Sequence, residues 1–226
     1  ACGKKMRENV LESLRDAMLA KPQFLKEKGL DSIGMPGKGN VVFVAVSTAP
    51  QPFTVGTDCS GMEAPIQALR NMGVPFRHKF ASDICPKVRK TISCNNEPEI
   101  LYTDMLTRDI DECPRTDVYI TGFPCQPFSA AGKQQGFEDT KGRGKIFFSV
   151  LEYIKVKNPK IFINVEGLVT LEKGMYCKTI MRMLRSVIAH KDSNIAFKGP
   201  LYEVEYRIMN TKDQGIAQSR ARWYCV

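Results

Sequence analysis

The sequence predicts an α/β protein built on a mostly parallel, seven-stranded sheet with helices on both faces. Three observations predict it. From Phe53 onward, short apolar segments alternate with segments of helical periodicity, the pattern of strand–helix–strand units whose crossovers cover a sheet on both sides. The apolar segments repeatedly end in Asp or in a Gly-containing turn, as at Asp58, Asp83, Asp104 and Gly122. The chain is also 43% hydrophobic and 25% charged, the composition of a folded globular protein. Its longest apolar run, Val41 to Val46, is strand-sized and far short of a membrane-spanning helix.

Residues 1–50 differ from the rest. Met6, Val10, Leu14 and Met18 recur at helical spacing, with Leu11 and Leu19 beside them, so 6–20 reads as an amphipathic helix. Lys21-Pro22 ends it, because proline disfavours helix in the residue before it. A short helical piece over 23–29, a Gly/Pro-rich connection and a strand over Val41–Val46 complete an N-terminal extension, which Pro50 and Pro52 join to the second region. That region, 53–226, carries strands at Phe53–Thr57, His78–Ser82, Ile100–Thr103, Asp117–Thr121, Lys160–Val165, Tyr202–Met209 and Trp223–Val226. Helices are expected at Ala64–Met72, through Val88 and Ile92, over 146–157 and over 174–189.

The 33 Lys and Arg residues against 24 Asp and Glu leave a net charge of +9, which favours polyanionic partners such as nucleic acid without specifying one. The eight cysteines contain no C-x-x-C pair and there are only two histidines. That pattern excludes a zinc-finger-like metal site and fits reduced, mostly buried thiols.

In parallel sheets ligands sit at the carboxyl ends of the strands. Asp58, Asp83 and Asp104 close three successive strands, and carboxylates there suit the hydroxyl and amine donors of a nucleoside. Asp at a strand end also caps the following turn, the commoner use for any one of them. The segment Thr121-Gly122-Phe123-Pro124-Cys125-Gln126-Pro127-Phe128-Ser129 places a Cys directly after a strand, on a turn stiffened by two prolines. Such a thiol is either a core cysteine or a displayed nucleophile.

Gly122-Phe123-Pro124-Cys125-Gln126, followed by Phe128-Ser129, Gly132-Lys133, Gly136-Phe137-Glu138-Asp139 and Ile146-Phe147-Phe148, closely resembles the nucleophile segment of the cytosine-5 DNA methyltransferases. Asn164-Val165-Glu166-Gly167-Leu168 is similar to that family's Glu-Asn-Val segment, and Gln218-Ser219-Arg220-Ala221-Arg222 to its Gln-x-Arg-x-Arg segment. Thr57-Asp58-Cys59-Ser60-Gly61 stands where the family has its cofactor loop. The resemblance covers about residues 53–226.

The resemblance implies a Rossmann-like class I fold and S-adenosylmethionine as cofactor. Asp58 and Gly61 would lie under its methionine moiety, Asp83 with Ile84 beside ribose and adenine, and Asp104 with Met105 at the adenine edge. Pro124 would shape the floor between cofactor and base. Cys125 would be the nucleophile, Arg220 and Arg222 would hold the base oxygen and the nucleophile loop, and 127–145 would close over nucleic acid. The implied partner is DNA, with RNA left open because nothing in the sequence reads the sugar. A nuclear location is the expectation for an active member, or an organelle for a processed chain.

The pattern departs from the family in three places. Ile163 occupies the position of the Glu that supports the ring nitrogen. Cys59 and Glu63 replace a Phe and a Gly of the cofactor loop, where the Glu63 side chain could crowd the ligand. The sequence stops at Val226, ahead of the position where the family has its target-recognition region. Two functions are therefore expected: a DNA cytosine-5 methyltransferase, or an inactive methyltransferase-fold protein serving as a structural or binding subunit of a larger assembly.

Overall fold

The computed structural model describes residues 52–124, 143–166, 175–188 and 199–226, all within the unit Gln51–Val226. The helices over 6–20 and 23–29, the strand over Val41–Val46, Cys125 and most of the 127–145 loop lie outside the described residues. The elements run β1 (Phe53–Asp58), α1 (Ala64–Asn71), β2 (Phe76–Ser82), α2 (Pro86–Asn95), β3 (Ile100–Tyr102), β4 (Val118–Thr121), α3 (Ile146–Lys157), β5 (Ile161–Glu166), α4 (Met175–Arg185), β6 (Tyr206–Asn210) and β7 (Ala221–Cys225). They form one seven-stranded sheet of order β3-β2-β1-β4-β5-β7-β6. β7 alone runs antiparallel to its neighbours.

The order reverses beside β1: the chain moves outward through β2 and β3, then returns to β4 on the other side. With right-handed crossovers, that reversal puts α1 and α2 on one face and α3 on the opposite face. The core divides the same way. Phe80, Tyr119, Phe162, Trp223 and Cys225 pack with side chains of α3 and α4, whereas α1 buries Ile66 and Leu69 and α2 buries Ile92. Proline in the first turn of both α1 and α2 removes a donor that would have no partner there and presets φ for the helix. Gly73, at φ 67, closes α1 in the left-handed conformation that a Cβ disfavours.

A bulge in β2 decides which face of the sheet its side chains join. Val55 pairs with His78 but Gly56 pairs with Phe80, so Lys79 is the extra residue. The two-residue alternation of a strand is thereby broken. His78 joins the face of Val55 and Thr57, and Phe80 joins the face of Gly56 and Asp58. The Phe80 ring then lies over Gly56, where an added Cβ would stand 2.2 Å from a ring carbon. Gly56→Ala should therefore destabilise the fold by about 1–3 kcal/mol through overpacking, read as a lower urea midpoint with an unchanged slope.

One strand begins later than the sequence indicates. Residues 201–205 are irregular and β6 starts at Tyr206. Pro200 precedes this stretch, and only Glu205 still exchanges backbone hydrogen bonds with Val226; Tyr202 instead donates its hydroxyl to the Pro159 carbonyl at 2.7 Å and packs edge-on to Phe162. Among the described thiols, Cys113, Cys177 and Cys225 are buried, Cys59 and Cys85 half-buried, and Cys94 exposed on α2. No helix of the described residues is long and apolar enough to cross a membrane.

Candidate active site

The carboxyl ends of β1 to β4 share one edge of the sheet, and the reversal between β1 and β4 opens the crevice where such folds bind ligands. Four contacts draw the loops together. Ser60 N–H donates to the Ser82 carbonyl at 3.0 Å, and Gly122 N–H to the Asp58 carbonyl at 3.4 Å. Gly61 N–H donates to Asp83 Oδ2 at 3.0 Å, and Cys59 Sγ lies 3.8 Å from Met105 Sδ. Asp58, Gly61, Asp83, Ile84, Asp104, Met105 and Pro124 are thus gathered by neighbouring parallel strands. Arg220 and Arg222 stand at the start of β7, which lies at the carboxyl end of β5 because the two strands run antiparallel. Two strand spacings, about 10 Å, separate β7 from β4. Arg220 is exposed, and Arg222 turns back to the Ala221 carbonyl at 2.8 Å.

The three strand-end acids do three different things. Asp83 accepts from Gly61 N–H through one oxygen and from Cys85 N–H through the other, so it ties the cofactor loop to the start of α2. Asp104 accepts from Leu106 N–H at 2.9 Å, an Asx turn. Asp58 is 1% exposed. Its Oδ1 accepts from Ser82 Oγ at 2.5 Å and from Arg108 Nη1 at 2.7 Å. Its Oδ2 accepts from Arg108 Nη2 at 2.5 Å and from Tyr119 Oη at 2.6 Å. A carboxylate offers about four acceptor positions, and the protein fills them all. Asp58 therefore presents no free carboxylate to a ligand.

Arg108 was not visible as a site residue in the sequence. Burial alone would pull its pKa down, but the Asp58 charge outweighs that and holds it above its ordinary value. The guanidinium carbon lies 5.0 Å from the Phe80 ring centre, 5.3 Å from that of Tyr102 and 5.5 Å from that of Tyr153, an aromatic cage for a cation.

Glu63, whose side chain could have crowded a ligand, is turned into the protein interior. It is 0% exposed, and Thr57 Oγ1 donates to its Oε1 at 2.6 Å. The turn is made by Glu63 itself, which caps α1 in the left-handed conformation, at φ 57. His78 Nε2 comes within 3.5 Å of the same oxygen, but its imidazole is neutral above about pH 4, so this is not an ion pair. Burial pushes the Glu63 carboxyl up to about 7 against the pull of Thr57 and Ser60. Burial likewise pulls the His78 imidazole down to about 4.

These shifts have opposite consequences for stability. Folded Glu63 keeps a proton that the unfolded chain releases near 4.5, so raising the pH from there to about 7 costs stability. Folded His78 has lost a proton that the unfolded chain holds up to 6.5, so raising the pH from about 4 to that value adds stability. Where the windows overlap, the two slopes cancel. Glu63→Gln should unmask a stability that rises from pH 4 to 6.5, and His78→Asn one that falls from pH 4.5 to 7. Urea midpoints measured across that range check both signs, and a flat profile in both variants would refute the assignment.

Several groups at this edge are open or lack a partner. Gly61, at φ 55, has open space where a Cβ would stand, so a ligand can approach the backbone closely. Met62 and Ile84 are exposed large apolar side chains, at 77% and 74%, on the loops after β1 and β2, where an apolar ring would otherwise meet water. At the ends of β4 and β5, the paired residues Thr121 and Asn164 hold buried polar atoms with no hydrogen-bond partner, as does Trp223 Nε1 in β7. Such groups call for a polar partner such as water or ligand. A separate cavity of about 500 Å³ lies between α4 and β6, away from the strand ends, with Lys178, Arg182 and Arg185 on its wall.

A doubly wound sheet with a glycine loop and acids at its switch point defines a Rossmann-like methyltransferase fold. The family of C-5 cytosine-specific DNA methylases matches residues 58–226, and the chain belongs to that family. It is 38% identical over 160 residues to the type II methyltransferase M.NlaIV of Neisseria lactamica, covering 70% of this chain and 36% of that protein. The same figures hold for M.NgoBV of Neisseria gonorrhoeae. M.HpaII of Haemophilus parainfluenzae is 35% identical over 163 residues, covering 70% of this chain and 41% of its own length. The chain thus spans little more than a third of its curated relatives M.NlaIV and M.NgoBV. The solved structure of the S. pombe Dnmt2 methyltransferase shares the fold, with a TM-score of 0.55 at 18% identity, over 77% of this chain and 49% of that one.

Proposed function

We propose that this chain is the cofactor-binding and nucleophile-bearing part of a DNA cytosine-5 methyltransferase. The observation that carries the reading is the junction of β4 with β1. There Gly122, the first residue of the Gly-Phe-Pro-Cys-Gln segment, is hydrogen-bonded to the end of the cofactor-loop strand, so the nucleophile segment leaves the sheet beside the crevice.

S-adenosylmethionine, when bound, supplies a methyl group on a sulfonium. C5 of cytosine is too weak a nucleophile to take it unaided. Addition of the Cys125 thiolate to C6 would make C5 electron-rich enough to take that methyl as its bond to sulfur breaks and a neutral thioether is left; loss of the C5 proton to water would then re-form the double bond and expel the thiolate. The base leaves the duplex stack for this geometry. Arg220 and Arg222 supply positive charge toward the developing anion on the base oxygen. Asp83 keeps the loop of Gly61 in place, and Gly61 lets the ligand approach the backbone.

A second reading rests on one residue. Ile163, half-buried in β5 beside Ile120, stands where the family has the Glu that supports the ring nitrogen. Loss of such a group costs on the order of a hundred- to a thousand-fold in rate, and favours a binding subunit of a larger assembly. Calorimetric titration of S-adenosylmethionine, followed by transfer of its labelled methyl to duplex DNA, separates the two. Binding with transfer supports the enzyme. Binding without transfer supports the subunit. Absence of binding rejects the cofactor assignment.

A further inference from the structure

We propose that Arg108 is a positioning residue for the cofactor crevice, acting through its paired carboxylate Asp58. The inference rests on the reading of that crevice as the cofactor site. Arg108 belongs to the segment after β3, the same segment that carries Asp104 and Met105. Asp58 ends β1, three residues before Gly61. The pair is bidentate, with Nη1 on Oδ1 and Nη2 on Oδ2, and its side chains are 3% and 0% exposed.

Two further donors make the junction a hub. Ser82, at the end of β2, and Tyr119, in β4, both donate to the same carboxylate. Four chain segments that line the crevice are therefore fixed to one carboxylate. β3 is only three residues long, and its own ladder fixes the following segment weakly. The fork of the guanidinium sets both distance and orientation, which a point charge on a flexible stem does not. Phe80, Tyr102 and Tyr153 surround the cation and keep water from competing for it.

The consequence is a division of labour. Asp58 cannot hydrogen-bond the cofactor with its side chain, because its acceptor positions are full. It holds the loops that do. The sulfur contact of Cys59 with Met105 bridges the same two segments and is too weak to replace the pair.

The test uses the full chain and two variants, Arg108→Lys and the double variant Asp58→Leu/Arg108→Met. The first keeps charge but loses the fork, and the second removes the buried charges together. Amide hydrogen exchange is read in the ligand-free protein at Gly61 and Leu106, and at Val55 and Ile120 in the sheet. Exchange at Gly61 and Leu106 should speed up about tenfold or more, with the sheet amides little changed. S-adenosylhomocysteine should bind about tenfold more weakly to both variants. Unchanged exchange at the two loop amides would overturn the proposal. An equal acceleration at all four amides would overturn it as well, because the pair would then be a global stabiliser only. If the unaltered chain fails to bind S-adenosylhomocysteine, the cofactor reading falls, while the exchange result still decides whether Arg108 orders these loops.

Discussion

Replacing Cys125 by Ser should abolish the covalent complex with a duplex carrying 5-fluorocytosine and lower methyl transfer by at least about a thousand-fold. Ser is nearly the size of Cys, so folding is little disturbed, but its hydroxyl is scarcely ionised near neutral pH and adds poorly to C6. The fluorinated base sharpens the readout. After methylation the fluorine on C5 cannot leave as a proton does, so the thioether to the protein persists and survives a denaturing gel. An adduct that persists in Cys125→Ser would place the nucleophile elsewhere and remove the basis of the proposed chemistry. A second loop thiol, Cys85, is half-buried beside Asp83 and serves as the control: Cys85→Ser should leave the adduct intact.

The largest expected effect on stability is at the hub. Arg108→Ala should cost about 3–5 kcal/mol, because it strands a buried carboxylate without its counter-charge. Asp58→Ala should cost a similar amount by stranding the guanidinium among three aromatic rings. Against a typical total of about 5–15 kcal/mol, this corresponds to a melting temperature lower by roughly 10 °C for a domain of this size. The two losses should not add. Once one charge is gone, removing the other relieves an uncompensated group, so the double variant Asp58→Leu/Arg108→Met should be more stable than either alanine variant. Thermal unfolding of the four proteins checks this, and additive losses would show that the charges do not act on each other. Tyr119→Phe isolates a smaller share. Its hydroxyl is buried, which raises its pKa well above the ordinary value, as does the neighbouring Asp58 charge. It therefore stays a neutral donor, whose loss is expected to cost about 1.5–3 kcal/mol as a hydrogen bond to a charged group.

Much of the architecture was legible before any coordinates. The alternation that begins at Phe53 gave the parallel strands and their helices because period-2 and period-3.6 burial patterns are local properties of sequence. The late start of β6 was not legible: only the contacts of Tyr202 with Pro159 and Phe162 show what holds the chain before Glu205 outside the ladder. Asp58, Asp83 and Asp104 were correctly placed at strand ends, but their duties were not distinguishable there. An acid that caps a turn, one that bridges two loops and one that neutralises a buried cation look alike in one dimension. Arg108 carried no signal at all. It lies 50 positions from Asp58, in a segment of mixed charge with no periodicity, and its partner is defined only by the way β3 returns the chain to the sheet. The orientation of Glu63 was hidden for a similar reason. Its place in the loop after β1 was legible, but its left-handed backbone turns the carboxylate into the interior beside Thr57.

The amino-acid order by itself determined the family, the acids at the strand ends and the thiol segment, because each is carried by residues adjacent in the chain. Tertiary structure alone decided which acids remain free for a ligand. The bulge at Lys79 reassigns His78 and Phe80 to opposite faces of β2, and the closing of four segments on one carboxylate consumes Asp58. Both outcomes depend on which distant side chains are brought within about 3 Å of each other, and hydrogen-bond geometry at that range is fixed by the packed sheet and not by local sequence.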